Sequence, residues 1–133
     1  DALTVVYGHN MKNGSYFAGL HNFEDAEFFA NNREIYIYTS DRKITYKIFA
    51  ASKFSDVYIP DKYGVAFAAS INNFVKDLKE YGADEDGNNF ADDIEIDSDE
   101  FTKVLVLSTC VSGQEENRYI VAAVKDREEL YEE

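Results

Sequence analysis

Apolar and polar positions fall into short, distinct patterns along this chain. Residues 4–7 are a β-branched and aromatic run closed by Gly8, which predicts a strand carrying His9 and Asn10 at its end. Lys12, Asn13 and Gly14 predict a turn, after which Ser15 suits the cap of a short helix through Phe17 and Leu20. A second short helix is expected over residues 24–31, with Phe28 and Phe29 facing inward. Residues 34–39 alternate Ile and Tyr, residues 40–43 are a polar turn, and residues 44–51 read as the return strand of a hairpin. Pro60 interrupts residues 53–69, where an edge strand or an irregular crossing is expected.

Over residues 70–81 the period changes. Ile71, Phe74, Val75 and Leu78 recur at i, i+3, i+4, i+7, while Asp77, Lys79 and Glu80 fall on the polar side. Ser70 suits the N-cap and Gly82 the C-terminal stop. Residues 84–93 read as an acidic loop, and residues 93–96 as a short strand. Residues 103–110 are the most apolar strand, with Val104, Leu105, Val106 and Leu107 on both sides, so both faces are expected to be buried. After a polar loop over 111–117, residues 118–124 form a last apolar strand, and the charged tail from 126 to 133 is expected to fray. The pattern as a whole predicts one domain, mainly antiparallel β, with one substantial helix between strands.

Composition narrows the function. The 133 residues are 45% hydrophobic and 15% aromatic, enough for a real core and for a single domain. No apolar run approaches the roughly 20 residues that span a bilayer. The chain begins at Asp1 with core-like residues following at once, so the natural start is expected upstream. A net charge of −13 argues against nucleic-acid partners and anionic lipid surfaces. With one Cys, no internal disulfide and no Cys-based zinc site can form.

That cysteine is the first chemical candidate. Cys110 ends a buried strand, just after Ser108 and Thr109, where a side chain is both held and reachable. The plainer reading is an inert core thiol. Arg118 begins the next strand, so in a hairpin it would stand across from Cys110, able to lower a thiol pKa and to donate to an oxyanion. A solvated strand-start Arg is the alternative. His9, also at a strand end, is the favoured general acid and base, with His21 as competitor. Other signals are weaker. The stretch from Asp84 to Gly87 fails calcium-loop spacing, since Gly82 would fall at its first position. Asn13-Gly14-Ser15 matches a glycosylation sequon that arises often by chance. No phosphate-binding loop or dinucleotide fingerprint is present, and no metal or other cofactor is expected.

At these residues the chain resembles the class B sortases. Tyr7-Gly8-His9-Asn10-Met11 looks like the segment carrying that family's catalytic His, Leu107-Ser108-Thr109-Cys110 like its Leu-x-Thr-Cys nucleophile signature, and Asn117-Arg118-Tyr119 like the segment carrying its catalytic Arg. The helix before the nucleophile strand resembles the long helix of class B. Val106 stands where the family often has Thr. The resemblance implies a sortase-like antiparallel β-barrel, incomplete because His9 lies so near the start, with short helices after the His segment. The N-terminal helical region, membrane anchor and first barrel strands are expected outside residues 1–133, which would form a single catalytic domain.

What the resemblance implies chemically is a cysteine transpeptidase at the outer face of a Gram-positive cell membrane, held there by an N-terminal anchor. It would cleave the sorting motif of a surface protein after Thr through a Cys110 thioester, then pass the acyl group to an amine of a peptidoglycan precursor or cross-bridge. Arg118 would stabilise the oxyanion or hold the substrate backbone, and His9 would serve both amines. Ser108 would orient the substrate or merely satisfy the strand end. An unperturbed Cys titrates near ~8.5 and a His near ~6.5, so an unshifted pair would hold thiolate and imidazolium together in only a minority of molecules. Two competing readings are a non-catalytic extracellular β module with a structural Cys, and a cysteine peptidase that releases its acyl group to water.

Overall fold

The computed structural model describes residues 2–7, 22–55, 59–64, 66, 68–82, 87–94, 96, 99, 102–111 and 114–131, with the backbone alone for 60, 61, 110, 111 and 114–117. Among the described residues, six strands and three helices follow in the order β1 (Leu3–Tyr7), α1 (Ala26–Asn31), β2 (Glu34–Tyr38), β3 (Arg42–Ser55), α2 (Ile59–Tyr63), α3 (Ala68–Gly82), β4 (Asn89–Phe90), β5 (Val104–Val111) and β6 (Gln114–Leu130). The strands form one open sheet in the order β1-β5-β6-β3-β2, with β4 added beside β3. The mainly β class with one substantial helix therefore holds, and the sheet of the described residues is not closed into a barrel. Its ladders are antiparallel except for β1 and β5, which run parallel from Leu3↔Val104 to Tyr7↔Ser108.

The alternation of strand side chains gives the sheet two covered faces. On one, Leu3, Phe54, Val104, Val106, Ile120 and Ala122 pack against Ile71, Phe74, Val75 and Leu78 of α3. On the other, Ile48, Ala51, Tyr119, Val121 and Ala123 pack with Phe29 of α1. This explains why β5 is apolar on both sides: it is a central strand between two layers. In α1 Phe29 is buried and Phe28 only half-buried, and Asp25 caps the helix by accepting from the Glu27 N–H at 3.1 Å.

Several elements differ from the sequence expectation. The hairpin strands outrun their apolar stretches: β3 begins at Arg42 and ends at Ser55, and β6 starts at Gln114 and does not fray at 126 but pairs on to Leu130. Charge holds this outer part of the ladder. Arg42 bonds Glu128 at 2.8 Å, Arg127 reaches Glu34 of β2 at 3.5 Å, and the Tyr131 N–H donates to the Asp41 carbonyl. Pro60 sits in neither an edge strand nor an irregular crossing. It lies in the first turn of α2, where a missing N–H costs nothing. Ser70 is not an N-cap, since α3 starts two residues earlier and Ser70 is buried within it. Gly82 is the last residue of α3 rather than a stop in left-handed conformation, and it is needed for space: a Cβ there would lie 2.2 Å from Ser52 Oγ. The acidic loop contains β4, paired with Ala50 and Ala51. No strand forms among the described residues of 93–96. The helix expected after Ser15, the sequon Asn13-Gly14-Ser15 and residues 84–86 lie outside the described residues.

Candidate functional site

Three strand ends meet at one rim of the sheet. β5 and β6 pair antiparallel, and the backbone register sets Cys110 opposite Arg118, Thr109 opposite Tyr119 and Ser108 opposite Ile120. A register shift follows between Cys110 and Val111, so regular pairing breaks at the cysteine. Bulges of this kind re-aim side chains at strand ends. On the other side of β5, Tyr7 is the partner of Ser108. Because β1 and β5 are parallel, the chain leaves β1 at the end where Cys110 stands. His9, two residues on, and His21 both lie outside the described residues, as does the Cys110 side chain.

Arg118 is half-buried, and its β3 partner is Phe54, so it stands in the middle of a three-strand rank formed with Cys110. Ser108 is 1% exposed, and its hydroxyl and that of Thr109 have no hydrogen-bond partner among the described residues. A buried hydroxyl left so costs about 1–3 kcal/mol, and Thr45, far from this rim on β3, is in the same position. Tyr119 is fully buried and donates to the Gly87 carbonyl at 3.1 Å. Burial first, and the Glu24 carboxylate second, push its phenol well above the ordinary range, so it acts as a neutral donor.

Two features of this rim carry no sequence signal. The Tyr7 hydroxyl accepts the Ile59 N–H at 3.2 Å, joining β1 to the start of α2. Beside Phe54 lies a hollow of about 350 Å³ bounded by Ser55, Lys62, Tyr63, Asp77 and Tyr81. There the Tyr63 hydroxyl donates to Asp77 at 2.7 Å, and burial followed by that bond raises the Tyr63 pKa well above ordinary. Two larger hollows, about 410 and 460 Å³, flank the Arg33–Asp93 ion pair. The larger borders Lys47, eight residues along β3 from Ser55 and so roughly 26 Å from the rim, and the other borders Asn89 and Phe90 of β4, beside Ala50 and Ala51 of β3.

Comparison with solved structures finds the same overall fold. Clostridium perfringens sortase B matches with a TM-score of 0.75 at 25% identity, over 96% of this chain and 67% of that one. A mutant form of the same enzyme gives 0.76 and 23%, over 96% and 58%. Sortase B from the type II pilus of Streptococcus pneumoniae gives 0.71 and 24%, over 94% and 68%. The fold is thus that of the class B sortases, and the chain spans 58–68% of the length of these proteins. The family described as Sortase domain matches residues 1–126, and this chain belongs to the sortase family. Comparison with curated proteins gives no significant match. Among the described residues, no helix is long and apolar enough to cross a membrane.

Proposed function

We propose that residues 1–133 are the single catalytic domain of a class B sortase-type cysteine transpeptidase. The observation that carries this reading is the Cys110↔Arg118 register at a strand end, in a chain of the sortase family. The Cys110 thiolate attacks the carbonyl carbon of the sorting-motif Thr. The negative charge that develops on the carbonyl oxygen is met by the Arg118 guanidinium, which can donate two parallel bonds. As the tetrahedral intermediate collapses, the C–N bond breaks and His9 gives its proton to the leaving amine. A Cys110 thioester remains. An amine of a peptidoglycan precursor or cross-bridge then attacks, His9 takes its proton, the C–S bond breaks and the thiolate returns. Ser108, two residues before the nucleophile on β5, orients the peptide backbone or satisfies the strand end.

The client is a surface protein bearing a C-terminal sorting motif, and the enzyme works on the outer face of a Gram-positive membrane, tethered by an N-terminal segment outside this chain. The test is product analysis of the full-length protein with a Thr-containing sorting peptide, with and without an amine acceptor. An amide-linked product that requires both the acceptor and Cys110 supports transfer. Only free acid, in either condition, would make the enzyme a peptidase, and turnover by Cys110→Ala would remove the thiol from the mechanism.

A further inference from the structure

The Tyr7 contact with α2 bridges the candidate site. In the sheet order β1-β5-β6-β3, Tyr7 ends β1 on one flank of the Cys110–Arg118 pair, and Ser55, paired with Asn117, ends β3 on the other. Those flanks are three strand intervals apart, about 14 Å. Although α2 follows β3 in sequence, it starts on the β1 flank, because the Ile59 N–H is bonded to the Tyr7 hydroxyl. Ile59 is itself 2% exposed in the core cluster with Leu3 and Phe74. Its N–H belongs to the first turn of a helix, where no intrahelical acceptor exists. The phenol oxygen supplies the acceptor that this donor lacks within the helix. From α2 the chain presents Lys62 and Tyr63 to the hollow beside Phe54, itself the partner of Arg118.

We propose that Tyr7 is a positioning residue whose hydroxyl latches α2 onto the strand that leads to His9, fixing one wall of the groove in which the sorting peptide lies. The role rests on the transpeptidase reading. It predicts that losing the latch loosens peptide binding and leaves the chemical step alone, because Tyr7 acts through α2 and exchanges no proton with substrate.

Tyr7→Phe in the full-length protein removes one oxygen and keeps the ring. Two measurements on it separate the latch from the reading. Amide hydrogen exchange at Ile59 should accelerate by about 3- to 10-fold, the range a single net hydrogen bond gives. KM for the sorting peptide should rise by a similar factor with kcat within about twofold. Unchanged exchange at Ile59 would overturn the latch. Faster exchange with unchanged KM, or a loss confined to kcat, would overturn the positioning role. A wild-type protein with no Cys110-dependent turnover would overturn the transpeptidase reading and the role with it, while the exchange result would still decide the latch.

Discussion

Cys110 of β5 and Arg118 of β6 are direct partners in one antiparallel ladder, although eight positions separate them in the chain. Opposed Cα atoms in such a ladder lie about 4.5–5.5 Å apart, so a guanidinium on one strand is within reach of chemistry on the other. Arg118→Ala should lower kcat/KM for a sorting peptide by about 10²- to 10³-fold, the usual cost of removing an oxyanion donor. Arg118→Lys should recover little, because an ammonium lacks the planar fork. Steady-state kinetics of the two variants checks this, and a Lys variant at wild-type rate would exclude the bidentate role.

The contact between α3 and the sheet rests on Phe74, fully buried with Phe54 and Tyr63 each edge-on at 5.6 Å. Phe74→Ala should destabilise the fold by about 3–5 kcal/mol through lost burial and a residual cavity. Urea unfolding measures it. A loss below about 1 kcal/mol would mean that α3 is not docked on this face.

Gly82 gives a sharper packing test. An added Cβ meets Ser52 Oγ at 2.2 Å and Phe90 Cζ at 3.1 Å, so Gly82→Ala should cost about 1–3 kcal/mol by overpacking. Adding Ser52→Ala should return part of that loss, and a double-mutant cycle reads the coupling. Strictly additive effects would show that the two residues do not touch.

At the tip of the β2–β3 hairpin, Asp41 accepts from the Arg42 guanidinium and then from Thr39, and its pKa is lowered to about 2. A carboxylate depressed in the folded state stabilises it above the unfolded pKa, and that contribution fades as pH falls from about 4 to about 2. Titration of the Asp41 carboxyl by NMR should give a midpoint near the lower value. Asp41→Asn should flatten the stability profile across that window, because the variant already lacks at neutral pH the contribution that the wild type loses on acidification. A midpoint near 4 would show that the Arg42 pairing does not persist in solution.

The sequence made some of this architecture legible and concealed the rest for identifiable reasons. Ile35 to Tyr38 alternate cleanly because β2 has one covered face, and α3 shows its inward positions because a single stripe is buried. The Cys110–Arg118 pairing follows from two adjacent strands joined by a short connection. The outer half of the β3–β6 ladder is held by Arg42, Arg127 and Glu128, and charged residues at a strand end look like a solvated tail until their partners are known. The parallel β1–β5 pairing joins segments about a hundred residues apart, which no local pattern encodes. Tyr7 read as a strand residue because nothing near it in sequence marks Ile59 as its partner.

The central claim is that Cys110 carries the acyl group, and intact-mass analysis tests it most directly. Full-length protein is incubated with a Thr-containing sorting peptide, quenched in acid and digested for site mapping. The account predicts a mass increase equal to the peptide's acyl fragment, mapped to Cys110, discharged by added amine and absent from Cys110→Ala. Cleavage of the peptide with no adduct at Cys110, or an adduct that persists in Cys110→Ala, would contradict it.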